Sequence, residues 1–146
     1  MTTISFDHAA HDARPSVTDA EGPGRNLRRV LAVNATTSGV AGIAGLVAAS
    51  WWSDTLGIPS VGWIQLIGAG LVVFAIEVAL VAARATKALA SAALAISMAD
   101  LAWVIGTGVV LATVDLTTTG WILAVVMGIG VADFALLQLW FRSRLA

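Results

Sequence analysis

The chain has 146 residues, 58% of them hydrophobic and 12% charged, with a formal net charge of −1. A soluble domain of this length needs a polar surface that this composition cannot supply, so the solvent it is suited to is lipid. The absence of cysteine excludes disulfides, thiolate nucleophiles and cysteine-ligated metal or iron–sulfur sites.

Residues 1–27 open as MTTISFDHAAHDARPSVTDAEGPG and carry Pro15 and Pro23. They are polar and lack a basic segment followed by an apolar one, so the expectation is a disordered cytoplasmic tail, not a cleaved signal. His8 and His11 are three apart and flanked by Asp7 and Asp12. On a helix they would share a face and could hold zinc or a similar metal, but nothing in the segment organises them, and no cofactor is expected.

Four apolar runs follow, at about residues 30–50, 62–83, 88–112 and 120–141, and residues 142–146 close the chain. Each meets the roughly 20 residues that a membrane-spanning helix needs, and none alternates as a barrel strand would. The predicted fold is all-α: a polytopic membrane protein with four transmembrane helices in an antiparallel bundle filling residues 28–141.

Orientation follows from charge. Arg14, Arg25, Arg28 and Arg29 precede the first run, Arg84 and Lys87 separate the second from the third, and Arg142 and Arg144 follow the fourth. These are all the basic residues, and in a four-span protein they fall on one side. The positive-inside rule then puts both termini in the cytoplasm of a bacterial inner-membrane protein. Trp51, Trp52, Trp63 and Trp121 mark the outer interface and Trp140 the inner one, whereas Trp103 lies within a span.

The second and fourth runs begin VGWI and TGWI, and Gly68, Gly70 and Phe74 match Gly128, Gly130 and Phe134 at a constant offset. This pattern suggests a repeated helix pair in parallel topology. In the first run Ala35/Gly39, Ser38/Gly42 and Ala41/Gly45 are small residues four apart, the spacing that lets helices approach closely.

The residues that carry chemistry are the polar ones inside these runs. Asp100 falls near the midplane, Glu77 and Asp133 about one turn nearer the cytoplasm, and Asn34 near the inner end of the first run. Ionisable groups at such depth are functional candidates by default. No basic residue shares their depth, so each carboxylate is protonated or matched by a cation. Ser97 and Thr107 share the face of Asp100 and could add oxygen ligands, and Trp103, near that face, could shield the site or meet an organic cation. The competing reading is structural: a protonated carboxyl bonded to a neighbouring helix, fixing register or assembly. No hydrolase triad, haem ligation or phosphate-binding signature is present, so no catalytic residues are assigned and an enzyme is not expected.

The segment VNATTSGVAGIAGLVAA and the two GWI starts resemble small uncharacterised four-helix integral membrane proteins of actinobacteria, a resemblance that implies no activity. The expectation is a proton- or cation-linked site, with a homo-oligomer needed for any transport path or channel. The alternatives are a non-enzymatic scaffold or accessory subunit, with a membrane-protein partner, and a protein binding a lipid, quinone or other apolar small molecule. Membrane lipids are its surroundings, and no nucleic-acid surface is present.

Overall fold

The computed structural model describes residues 17–84 and 87–145, with side chains from residue 22 onward. It consists of α1 (Val17–Val47), α2 (Ala49–Leu56), α3 (Val61–Arg84), α4 (Leu89–Thr113) and α5 (Thr118–Ser143). Four of these, with α1 counted from Gly22, are long and apolar enough to cross a membrane. The described chain is thus an all-α, four-helix transmembrane bundle without strands. The histidine pair of the tail lies outside the described residues. Residues 17–27, read from sequence as tail, are the first turns of α1, which runs through Pro23.

In lipid, burying apolar surface gives no net drive, so the bundle is held by close packing and by polar bonds between helices. α1 packs most extensively on α3 and α4 on α5, while α1 also meets α5 and α3 barely meets α4. The α1–α3 seam is closest at two glycines. A Cβ on Gly42 would lie 2.7 Å from the carbonyl oxygen of Gly68, and one on Gly68 would lie 2.9 Å from that of Gly42. The small-residue spacing in the first run therefore does what it was expected to do, at Gly42.

The dense core lies in the half nearer the basic residues. Leu27, Leu31 and Ala35 of α1 meet Val78 of α3 and Leu89, Ala93 and Ile96 of α4, flanked by Phe74 and Phe141. The buried registers repeat. Leu27, Leu31, Asn34 and Ala35 correspond, sixty-two positions on, to Leu89, Ala93, Ile96 and Ser97, all buried. Gly68, Ala75 and Val78 correspond, sixty positions on, to Gly128, Ala135 and Gln138, also buried. Each helix pair buries the same face, and in α3 and α5 the register is that of Gly68, Gly70 and Phe74, whereas the GWI starts, fifty-eight apart, fall outside it, with Ile64 buried and Ile122 exposed.

At the other end, Ser53 to Val61 lie between the first and second apolar runs and hold the turn formers Asp54, Gly57 and Pro59, a pattern that predicts a loop. Most of its first half is helical instead. α1 breaks at Ala48, and α2 continues to Leu56 with Trp51 and Trp52 edge to face, 4.8 Å between centroids. Gly57 ends α2 in the left-handed region, φ 78°, where a Cβ would also lie 2.8 Å from the Thr117 nitrogen. Thr117 ties this corner to the α4–α5 turn. Its N–H donates to the Leu56 carbonyl at 3.1 Å, and its hydroxyl donates to the Thr55 carbonyl. The same hydroxyl accepts the Gly120 N–H at 2.9 Å and so caps α5.

Candidate functional site: a buried carboxylate clasp

Asp100 is 3% exposed and sits where α1, α4 and α5 converge. The Nδ2 of Asn34 on α1 donates to its Oδ2 at 2.9 Å, and the Nε2 of Gln138 on α5 donates to the same oxygen at 3.0 Å. No donor from the described residues reaches Oδ1. The outer members complete a chain. The Ser38 hydroxyl donates to Asn34 Oδ1 at 3.2 Å. That of Ser97 lies 3.1 Å from Gln138 Oε1 and 2.9 Å from the Ala93 carbonyl, so it shares its proton between them. Asn34, Gln138 and Ser97 are at most 1% exposed. Among the described residues no fully buried side-chain nitrogen or oxygen lacks a partner. A buried amide left unpaired is costly, so three helices are committed to one register by this chain of bonds.

The local causes are simple. Asn34 follows Leu27 and Leu31 at helical spacing, so it shares their inward face, and Gln138 follows Gly128 and Ala135 in the same way. On α4, Ser97 lies one turn before Asp100 and Ala93 one turn before Ser97, a stripe of small or polar residues facing inward.

The three intramembrane carboxylates do not meet. Glu77 and Asp133 are exposed on the outer surfaces of α3 and α5, away from Asp100. By translocon scales, an acid at a helix centre costs about 2.5–3.5 kcal/mol to place in lipid, so these two stand on faces that benefit from cover. Among the described residues no three His, Asp or Glu side chains come together as a metal site would require. Ser97 does join Asp100's cluster, through Gln138. Thr107 does not: its hydroxyl bonds back to the Trp103 carbonyl at 3.0 Å. Sequence reasoning misses Gln138 because Asp133, five residues earlier, is the more conspicuous polar group of the fourth span. Its signal was position, close to the basic end as Asn34 is.

Trp103 and Thr107 line a different feature. A cavity of about 710 Å³ opens in the half away from the basic residues, beneath α2 and between the helix pairs. Its walls are mostly apolar and mix small residues such as Ala41, Gly45 and Ala99 with larger ones such as Ile64, Leu123 and Met127, and Trp52 and Leu56 of α2 also line it. A volume of this size falls within the range of about 300–1,000 Å³ typical of small-molecule sites. One turn of α4 serves both features: Ala99, Ala102 and Trp103 face the cavity, while Asp100 turns into the clasp.

The described basic side chains gather at the opposite end. Arg28 Nη1 donates to the Ala82 carbonyl at 2.6 Å, and Arg142 Nε donates to the Ala90 carbonyl at 2.9 Å. Each thereby ties a helix to the α3–α4 corner. The Arg144 guanidinium lies 4.1 Å from the centre of the Trp140 ring. Comparison of the chain with protein-family models, with curated proteins and with solved structures finds no match.

Proposed function

We propose that the chain is a small transport protein of a bacterial cytoplasmic membrane, with both termini cytoplasmic, and that Asp100 is its proton- or cation-linked group. The observation that carries this reading is the shared turn of α4, with the cavity on one side and the clasp on the other. Both donors to Asp100 are neutral amides and both address Oδ2, which leaves Oδ1 to take a proton or a cation. Gaining or losing that charge changes what Asn34 and Gln138 gain by holding the carboxylate. α1, α4 and α5 also wall the cavity, so the clasp couples charge at Asp100 to cavity shape. A bundle this thin carries a path only as a homo-oligomer. In proteoliposomes holding a pH-sensitive dye, the wild type is expected to pass protons, and Asp100→Asn to fold but lose that flux. Equal flux in both would remove Asp100 from the mechanism.

A second reading has its own support. Glu77 and Asp133 face outward, and both amides of the clasp, Asn34 and Gln138, are hydrogen-bonded, as suits a scaffold or accessory subunit that meets a membrane-protein partner. It predicts no flux in the wild type and altered assembly when the outward acids are replaced.

A further inference from the structure

A second concavity lies on the outside of the bundle, between α1 and α3, and shares nothing with the clasp. Its volume is about 660 Å³. Arg25, Arg28 and Arg29 stand at one end of it, and small residues including Ala32, Gly39, Ala75 and Ala79 form its length as far as Ile43. Among the described residues no acidic side chain lines it. From Arg29 to Ile43 the groove runs about 20 Å along α1, from the level of the headgroups to beyond the middle of a ~30 Å hydrocarbon layer.

The chemistry of the two parts differs, and one molecule matches both. Arg25 and Arg29 are exposed. Arg28 fixes the spacing of the two helices at that end through its bond to the Ala82 carbonyl. Guanidinium groups pair well with phosphate oxygens, and basic pockets between membrane helices take anionic headgroups. The apolar trough continues into the depth where an acyl chain lies. We propose that the α1–α3 groove binds one anionic phospholipid of the leaflet at the basic end, its phosphate held by Arg25 and Arg29 and one acyl chain along the seam.

The test is lipid retention by the full-length protein, purified in detergent and exchanged into mixed micelles holding equal phosphatidylglycerol and phosphatidylcholine. Bound lipid is counted by mass spectrometry. The wild type is expected to retain about one phosphatidylglycerol per protomer, with a preference of about tenfold or more for two nearby arginines. R25Q/R29Q is expected to lose the preference. A32F/A79F, which fills the groove from two exposed positions, is expected to lose the bound lipid. L136F, on an exposed face of α5, is the control for added bulk, and circular dichroism checks that each variant folds. Equal retention of both lipids overturns the proposal. So does retention that survives A32F/A79F, which would leave only attraction to a charged surface. Displacement by millimolar inorganic phosphate would assign the arginines to a free anion and also overturn it. D100N should retain the lipid as the wild type does, so the outcome is independent of any transport role.

Discussion

Asn34 on α1 donates a 2.9 Å hydrogen bond to Asp100 on α4, across the interior of the bundle, to an oxygen that Gln138 of α5 also addresses. The geometry separates two roles that a single substitution would otherwise confuse. In Asp100→Asn an amide oxygen can still accept both bonds, so the clasp survives while the charge is lost. In Asp100→Ala both donors are orphaned. A buried unpaired donor costs about 1–3 kcal/mol, yet interhelical bonds in membranes average only ~0.6 kcal/mol because the separated helices find other partners. The expected result is a loss of about 1–3 kcal/mol for Asp100→Ala and less than about 1 kcal/mol for Asp100→Asn, read from unfolding in graded denaturing detergent.

The α1–α3 seam gives a sharper steric expectation. Gly42 and Gly68 bring two backbones into contact, and an added methyl at Gly42 meets backbone on the other helix, which cannot swing away as a side chain tip could. Gly42→Ala should therefore cost about 1–3 kcal/mol, the usual range for overpacking. Gly70→Ala and Gly130→Ala meet nothing within 4 Å and should be neutral or slightly stabilising, since alanine also favours the helix. Unfolding midpoints of the three variants, compared side by side, check this. Equal losses at all three, two of which have open space for the methyl, would mean that the seam contact does not set the cost.

How much of this could be read from residues alone depended on which physical signal was available. Span number and fold class were legible because a membrane-spanning helix must be long and apolar whatever it packs against. The inward face was not. In water, one apolar stripe marks it, but α4 is apolar all round, with exposed Met98, Ile105 and Val109 beside buried Ala93 and Ile96. Hydropathy therefore could not say that Asp100 turns inward while Glu77 and Asp133 turn out. Asn34 and Gln138 were in the right half of the membrane, but their convergence on one oxygen depends on helix rotation. α2 was hidden because Asp54, Gly57 and Pro59 read as turn formers, whereas only Gly57 has the left-handed backbone.

The outward acids test assembly. Glu77 and Asp133 are exposed, so their replacement by leucine should leave the clasp and the seam intact. If those faces are covered in a homo-oligomer or by a partner, E77L or D133L should change the mass of the purified particle while protomer unfolding stays within about 0.5 kcal/mol of the wild type. Light scattering reads the mass. The chain has no cysteine, so single cysteines at Leu66 or Val73 on the exposed side of α3 give a direct cross-linking check. Unchanged mass in both variants and no cross-link would show that these faces meet lipid only.

The latch at the tryptophan-rich end closes the cavity from above, and its weak point is Gly57. A side chain there is strained by φ 78° and also meets the Thr117 nitrogen, so Gly57→Val must displace the corner that holds Thr117 against Leu56 and Thr55. Thr117→Val removes the hydroxyl that both donates to Thr55 and caps α5, and loss of such a cap costs about 0.5–2 kcal/mol. Because Trp52 and Leu56 of α2 line the cavity, both changes should loosen its roof more than the distant core around Leu27 and Leu31. Amide exchange followed by mass spectrometry is the measurement. Faster exchange should appear in residues 49–57 and at the start of α5, with the clasp region around Asp100 keeping its protection. Equal acceleration throughout the chain would mean that α2 and the core unfold as one unit, and that the roof cannot move independently of the clasp.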